Sequence, residues 1–171
     1  MRGFIQIYTG DGKGKTTAAL GLALRAAGAG LKVFIAQLIK GKEYSEHRAL
    51  EKLGDLITIR QYGRGCFIYG KPGDEDAQSA AAGLREAKDC MVSGTYDLVI
   101  LDEANVAVHL GLFSIGELLE VMDAKPEHVE LVITGRDAHP RVLERADLVT
   151  EMHAVKHYYS RGIKARRGIE F

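Results

Sequence analysis

The chain has 171 residues, the usual length of one domain, and 46% of them are hydrophobic, an ordinary share for a globular fold with its own core. Lys and Arg balance Asp and Glu at 23 each, which removes any global pull toward nucleic acid or an anionic membrane and makes an anion site a local matter. Cys66 and Cys90 are too few for a disulfide framework or a cysteine metal cluster. No apolar run approaches the ~20 residues of a membrane span, so a cytoplasmic protein without a leader peptide is expected.

Short apolar runs alternate with stretches of helical period, the pattern of an α/β fold whose mostly parallel sheet carries helices on both faces. A strand is predicted at Phe4–Tyr8, followed by a glycine-rich turn and a helix from Thr16 to about Ala27. Strands follow at Val33–Leu38 and Ile57–Tyr62, with a short helix at Glu46–Leu53 between them. Gly63 to Gly73 reads as a long loop holding Phe67, Ile68 and Tyr69; apolar surface of that kind marks a ligand or partner unless the loop folds onto its own core. Asp74 is placed to cap a helix reaching about Val92. Beyond it come the apolar strand Leu98–Leu101, a Ser114–Glu117 capping box for a helix over Ile115–Asp123, and a strand at Leu131–Thr134. Pro140 suits the first turn of a short helix, and Leu148–Met152 is a sixth strand. With no repeat, linker or composition break, residues 1–171 read as a single domain.

The segment Thr9-Gly10-Asp11-Gly12-Lys13-Gly14-Lys15-Thr16-Thr17 follows a strand and opens a helix. That context turns a match to G-x-x-x-x-G-K-S/T into a physical statement. Glycines let backbone N–H groups close around phosphate oxygens where side chains would block the approach, and the helix N-terminus adds partial positive charge. Lys15 supplies a mobile ammonium to the distal phosphates, and the Thr16 hydroxyl can ligate Mg²⁺. The whole segment is therefore assigned to ATP, although Thr9 stands where the general motif has glycine. The strand ending in Asp102-Glu103 delivers carboxylates to the C-terminal edge of the sheet, where ligands of open α/β folds bind. Asp102 can hold Mg²⁺ or cap a helix; Glu103 is open between metal ligand, general base for water and solvated first-turn residue. Arg136, in Thr134-Gly135-Arg136 on the same edge, is placed to meet phosphate or an acidic substrate, or to serve as a plain surface residue.

The tail after His153 is basic and aromatic, which suits nucleic acid, triphosphate or simply a solvated face. His109, His128 and His139 lack metal-ligand spacing and read as structural or surface residues.

Taken together, TGDGKGKTTAALG (Thr9–Gly21), GRGCFI (Gly63–Ile68), YDLVILDE (Tyr96–Glu103), ELVITGR (Glu130–Arg136), ADLVTEM (Ala146–Met152) and the ending KHYYSRGIKARRGIEF resemble the phosphate-loop type of bacterial ATP:corrinoid adenosyltransferases, nearly end to end. Thr9 is itself that family's form, T-G-N/D-G-K-G-K-T-T. The resemblance implies a RecA-like P-loop fold. It also implies a reaction in which a corrinoid Co(I), supplied by an electron donor, attacks C5′ of ATP and triphosphate leaves. Lys15 and the loop N–H groups, with Mg²⁺ on Thr16 and Glu103 or Asp102, would stabilise that leaving group, which gives Lys15 and Glu103 the catalytic roles. It further implies a nucleotide lying in reverse on the loop, and a corrinoid-facing segment matching Gly65, Phe67, Ile68 and Tyr69. Some relatives carry a Trp in that segment and an N-terminal helix over the partner's site; this chain has no Trp, and its first strand starts at once. The family tends to be dimeric, which leaves a homodimer open, and no nucleic-acid or membrane partner is implied. Two other classes stay in view: a RecA-like ATPase or small kinase, which would yield ADP, and a nucleotide-gated binding module without turnover.

Overall fold

A computed structural model describes residues 2–65 and 72–171. Phe67, Ile68 and Tyr69 of the expected corrinoid segment lie outside the described residues, as does Cys66.

Among the described residues six strands form one parallel sheet: β1 (Ile5–Thr9), β2 (Val33–Gln37), β3 (Ile57–Gln61), β4 (Leu98–Asp102), β5 (Glu130–Thr134) and β6 (Leu148–Glu151). Their order across the sheet is β3-β2-β4-β5-β1-β6, so β5 lies between the strand that leads into the glycine loop and the strand that ends in Asp102. β2 and β4 are buried along their whole length, which is why they read as unbroken apolar runs instead of alternating ones.

The strand period of two sorts these side chains between the faces. Val33, Ile35, Leu98, Ile100 and Val132 meet the helix α1 (Lys15–Gly28) and the helix α2 (Ser45–Leu50). Ala19, Ala23, Ala26 and Ala27 line the inner stripe of α1 at helical spacing, and their small size lets the helix sit close on the sheet. Phe34, Ala36, Val99, Leu101, Leu131 and Ile133 face the other way, onto the helices α3 (Asp74–Val92), α4 (Ala104–His109), α5 (Ile115–Asp123) and α6 (Pro140–Arg145). Each fully buried Leu, Ile or Phe contributes about 1.5–3 kcal/mol over its exposed state, so both layers are held by the same strands.

The Ser114–Glu117 capping box forms as expected: the Glu117 N–H donates to Ser114 Oγ at 3.2 Å, and the Ser114 N–H to Glu117 Oε2 at 2.7 Å. The cap of α3 does not fall on Asp74. Gly73 takes that position, its N–H donating to Asp76 Oδ2 at 3.0 Å, because the Asp76 side chain can reach back while Asp74 already has helical geometry. The short helix after β2 starts at Ser45 and tightens to a 3-10 turn over Glu51–Leu53. The α4 helix has no counterpart in the sequence reading. Its six residues are too few to show a period, and its start is set by the backbone of Glu103. Among the described residues no helix is long and apolar enough to cross a membrane.

Candidate functional site

The loop from Gly10 to Gly14 joins β1 to α1, and Gly14, with φ 118°, is the residue that turns the chain into the helix. A side chain is strained at that angle. The Gly12 N–H is tied to the Met152 carbonyl at 2.7 Å, which anchors the loop to the end of β6. Lys15 is buried, and its ammonium donates to the carbonyls of Gly10 at 2.6 Å and Gly12 at 2.7 Å. Burial first, and the neighbouring charge of Arg136 second, hold its pKa below the usual lysine value. A cation held in this way gains from an incoming anion.

Thr16, Asp102 and Thr134 converge although they come from α1, β4 and β5. The hydroxyls of Thr16 and Thr134 each donate to Asp102 Oδ1 at 2.8 Å. The interposed strand β5 thus ends in a residue whose hydroxyl meets Asp102 on the same oxygen as Thr16. Thr134 Oγ1 also accepts the Glu103 N–H at 3.0 Å. Glu103 sits at φ 64° and ψ 22°, a left-handed conformation that costs a non-glycine residue on the order of 1–3 kcal/mol. This bend turns the chain out of β4 and lets the Glu103 side chain line the cleft. Burial, and then the charge of Asp102, push the Glu103 carboxyl above its ordinary range.

Asp102 Oδ2 has its own partners. The Lys40 ammonium donates to it at 2.9 Å and to Thr16 Oγ1 at 3.2 Å. Gln37 Nε2 donates to it at 3.1 Å. His47 Nδ1 accepts the Tyr44 N–H at 2.9 Å, so its Nε2 carries the proton and donates to Gln37 Oε1 at 2.8 Å, which turns the Gln37 amide toward Asp102. Burial pulls the Lys40 pKa down, but the charge and hydrogen bond of Asp102 outweigh it and the net shift is upward.

Some of the other expected residues line the same cleft, whose volume is about 760 Å³. Lys13, Thr16, Thr17 and Arg136 line it, with Arg136 exposed. Thr9 is buried, its Oγ1 accepting the Ala138 N–H at 3.4 Å, and Asp11 accepts the Ala154 N–H at 3.3 Å; both shape the loop from behind. Gly65 lies beside Lys40, joined through an isolated bridge, with the Gly41 N–H donating to the Gly65 carbonyl at 2.8 Å. A side chain at Gly63 would overlap the Ile39 carbonyl, so the start of the long loop is zipped to the residues after β2.

The basic tail comes back over the cleft. Lys13 Nζ donates to Tyr158 Oη at 2.8 Å, the Ile169 carbonyl at 3.2 Å and Glu170 Oε1 at 2.7 Å. Arg166 N–H donates to Glu170 at 2.7 Å, and Tyr158 O–H donates to it as well. Arg166, Lys13 and Tyr158 together hold the Glu170 carboxyl far below the carboxylate range. Ser45 Oγ donates to the Phe171 carbonyl at 3.0 Å, so the tail reaches from the glycine loop to α2. His109 and His128 are exposed surface residues, and His139 caps α6 by accepting the Arg141 N–H at 3.1 Å. Among the described residues no group of three or more His, Cys, Asp or Glu is arranged to hold a metal.

Lys40, Thr134, Gln37 and His47 were not singled out from the sequence. A polar Gln37 in an otherwise apolar strand, and a lysine just past the C-terminal end of a parallel strand, are the signals that point to two of them.

A parallel sheet, a lysine-bearing glycine loop at a helix N-terminus and a carboxylate hydrogen-bonded to the loop's threonine define a P-loop α/β nucleotide-binding protein. Comparison with known sequences narrows this. The chain belongs to the family described as ATP:corrinoid adenosyltransferase BtuR/CobO/CobP, which it matches over residues 1–171. It is 35% identical to a corrinoid adenosyltransferase of Pseudomonas aeruginosa over 99% of this chain and 84% of that one. Similarity to a corrinoid adenosyltransferase of Escherichia coli is 37%, over 99% and 86% of the two chains. The corrinoid adenosyltransferase CobA of Salmonella typhimurium is 36% identical over the same shares.

Proposed function

We propose that this chain transfers the 5′-deoxyadenosyl group of ATP to the Co(I) of a corrinoid and releases triphosphate. The Co(I) electron pair attacks C5′, the C5′–O bond breaks, and its electrons leave on the triphosphate. An external electron donor keeps cobalt in the Co(I) state. Substrate and cobalt thus supply the difficult chemistry, and this chain's residues bind, orient and neutralise charge. The observation that carries the reading is that Lys15 and Thr16 line one cleft, with the buried Asp102 hydrogen-bonded to Thr16 behind it, in a chain of this family.

In this reading the glycine-loop N–H groups and Lys15 take the triphosphate. Lys15 leaves its two loop carbonyls for phosphate oxygens, which relieves the desolvation of a buried cation. Arg136, which lines the same cleft, adds charge. The oxygen donors of Thr16 and Asp102 suit a hard cation, and a positive group, the Lys40 ammonium, already rests on them. Bound there or on Glu103, Mg²⁺ would supply further neutralisation of the leaving group. Gly65 leads into the segment of Phe67, Ile68 and Tyr69, which this reading gives to the corrinoid face. ATP hydrolysis is the second reading, favoured by a single observation: Glu103, at the cleft wall with a raised carboxyl pKa, has the character of a base for water.

Two substitutions separate the sites. Lys15→Ala is expected to weaken ATP binding by tenfold or more and to abolish turnover, by loss of charge-assisted hydrogen bonds worth roughly 1.5–3 kcal/mol each. Phe67→Ala is expected to raise KM for the corrinoid while ATP affinity stays within about threefold. Near-normal turnover in the first variant, or collapse of ATP affinity in the second, contradicts the assignment.

A further inference from the structure

Among the described residues, Lys40 is the cation at Asp102 that neither the phosphate-loop pattern nor the reading above puts to use. Its side chain is only 18% exposed, and its ammonium rests against Asp102, whose side chain is 1% exposed. Asp102 Oδ2 is 2.9 Å away and Thr16 Oγ1 3.2 Å away. Those two oxygens belong to the pair that the proposed function offers to a divalent cation, so a metal ion there and the ammonium contend for the same seat.

The main chain of Lys40 is fixed while its side chain is long and unbranched. Its carbonyl accepts the Gly63 N–H at 3.1 Å, and the next residue, Gly41, is bonded to Gly65 at 2.8 Å. Gly63 and Gly41 pack backbone against backbone, with no room for a Cβ on either. A change at Asp102 is therefore taken up by the four side-chain torsions of Lys40 and not by the strand. The cleft into which that side chain can turn is the one lined by Lys15, Thr16 and Arg136.

We propose that Lys40 is a second triphosphate-binding lysine: it holds the metal seat on Thr16 and Asp102 and, when a divalent cation takes that seat, turns its ammonium onto the triphosphate. This rests on the proposed function above. The structural alternative is a fixed ion pair that merely compensates a buried carboxylate. The two differ at the triphosphate. If Lys40 competes with metal and then binds triphosphate, removing its charge strengthens metal binding in the absence of nucleotide and weakens triphosphate binding. A fixed structural pair, once broken, also leaves Asp102 open to metal but does not change triphosphate affinity.

The experiment uses the full chain with Mn²⁺ as the metal probe, titrated by electron paramagnetic resonance without nucleotide, and inorganic triphosphate with Mg²⁺, titrated by calorimetry. For Lys40→Met the expected result is Mn²⁺ binding tightened by about threefold or more, and triphosphate binding weakened by about tenfold. Lys40→Gln, of similar length and still able to hydrogen-bond Asp102, carries the same expected signs and serves if Lys40→Met does not fold. Asp102→Asn is the blank for Mn²⁺. Unchanged triphosphate affinity in the folded Lys40 variants, or Mn²⁺ binding that weakens with it, overturns the proposal. Lys15→Ala runs alongside: if it too leaves triphosphate affinity intact, the phosphate-site reading itself has failed, whereas loss in Lys15→Ala alone rejects only the role of Lys40.

Discussion

Thr134→Val replaces a hydroxyl by a methyl group of nearly the same shape at a position with no solvent exposure. In the native chain that hydroxyl donates to Asp102 Oδ1 at 2.8 Å and accepts the Glu103 N–H at 3.0 Å. A hydrogen bond to a carboxylate contributes about 1.5–3 kcal/mol, and a buried N–H left without an acceptor costs about 1–3 kcal/mol. Allowing for incomplete additivity, the substitution is expected to destabilise the fold by about 3 kcal/mol. For a domain of this size that is a fall in Tm of roughly 6–12 °C. Urea unfolding monitored by circular dichroism measures the free energy, with Thr134→Ser as the control. Serine keeps the hydroxyl and loses one methyl group, so about 1 kcal/mol is expected. Because Asp102 then lacks one of the donors that aim it at Thr16, ATP affinity should fall in the valine variant and hold in the serine variant. A valine variant within 0.5 kcal/mol of the native chain, on the order of an ordinary surface substitution, or a serine variant as unstable as the valine one, refutes the bridging role of Thr134.

Two further expectations follow from charge. Glu103 carries a raised carboxyl pKa from burial and Asp102, so above that value its ionised form opposes folding, and the folded state binds the proton more readily than the unfolded one. Glu103→Gln should therefore raise stability at neutral and higher pH, by about 1 kcal/mol. That gain should shrink as the pH falls toward the ordinary carboxylate range, near 4.3, while activity drops throughout; a gain that grows at low pH contradicts the assigned sign. Glu170→Ala removes the acceptor shared by Lys13, Tyr158 and Arg166. Faster hydrogen exchange over residues 158–171 is expected, together with a rise in KM for ATP larger than the fall in kcat; unchanged exchange there means the tail is held by other contacts.

Much of the fold was legible because β2 and β4 are buried on both faces and so announce themselves as apolar runs. The glycine loop between β1 and α1 was legible because a tight strand-to-helix turn with positive φ at Gly10 and Gly14 restricts the residue types that fit. Asp102 followed from its strand. What stayed hidden is long-range pairing. Nothing local to Lys13 or Glu170 signals that they meet across 157 positions, and the charge of the tail gave no hint that Arg166 is neutralised within it. Thr134 reads as the last residue of a strand until the sheet order sets β5 between β1 and β4. The bend at Glu103, and with it α4, depends on a backbone angle that no composition or period encodes.

The central claim is the identity of the transferred group, and a product assay tests it most directly. The purified chain is mixed under strict anaerobiosis with MgATP and chemically reduced cob(I)alamin, the corrinoid spectrum is followed, and the phosphate products are separated. Adenosylated corrinoid with one triphosphate per turnover is the expected result. ADP and phosphate formed without corrinoid would contradict the account, leaving the phosphate loop in place and assigning it to hydrolysis.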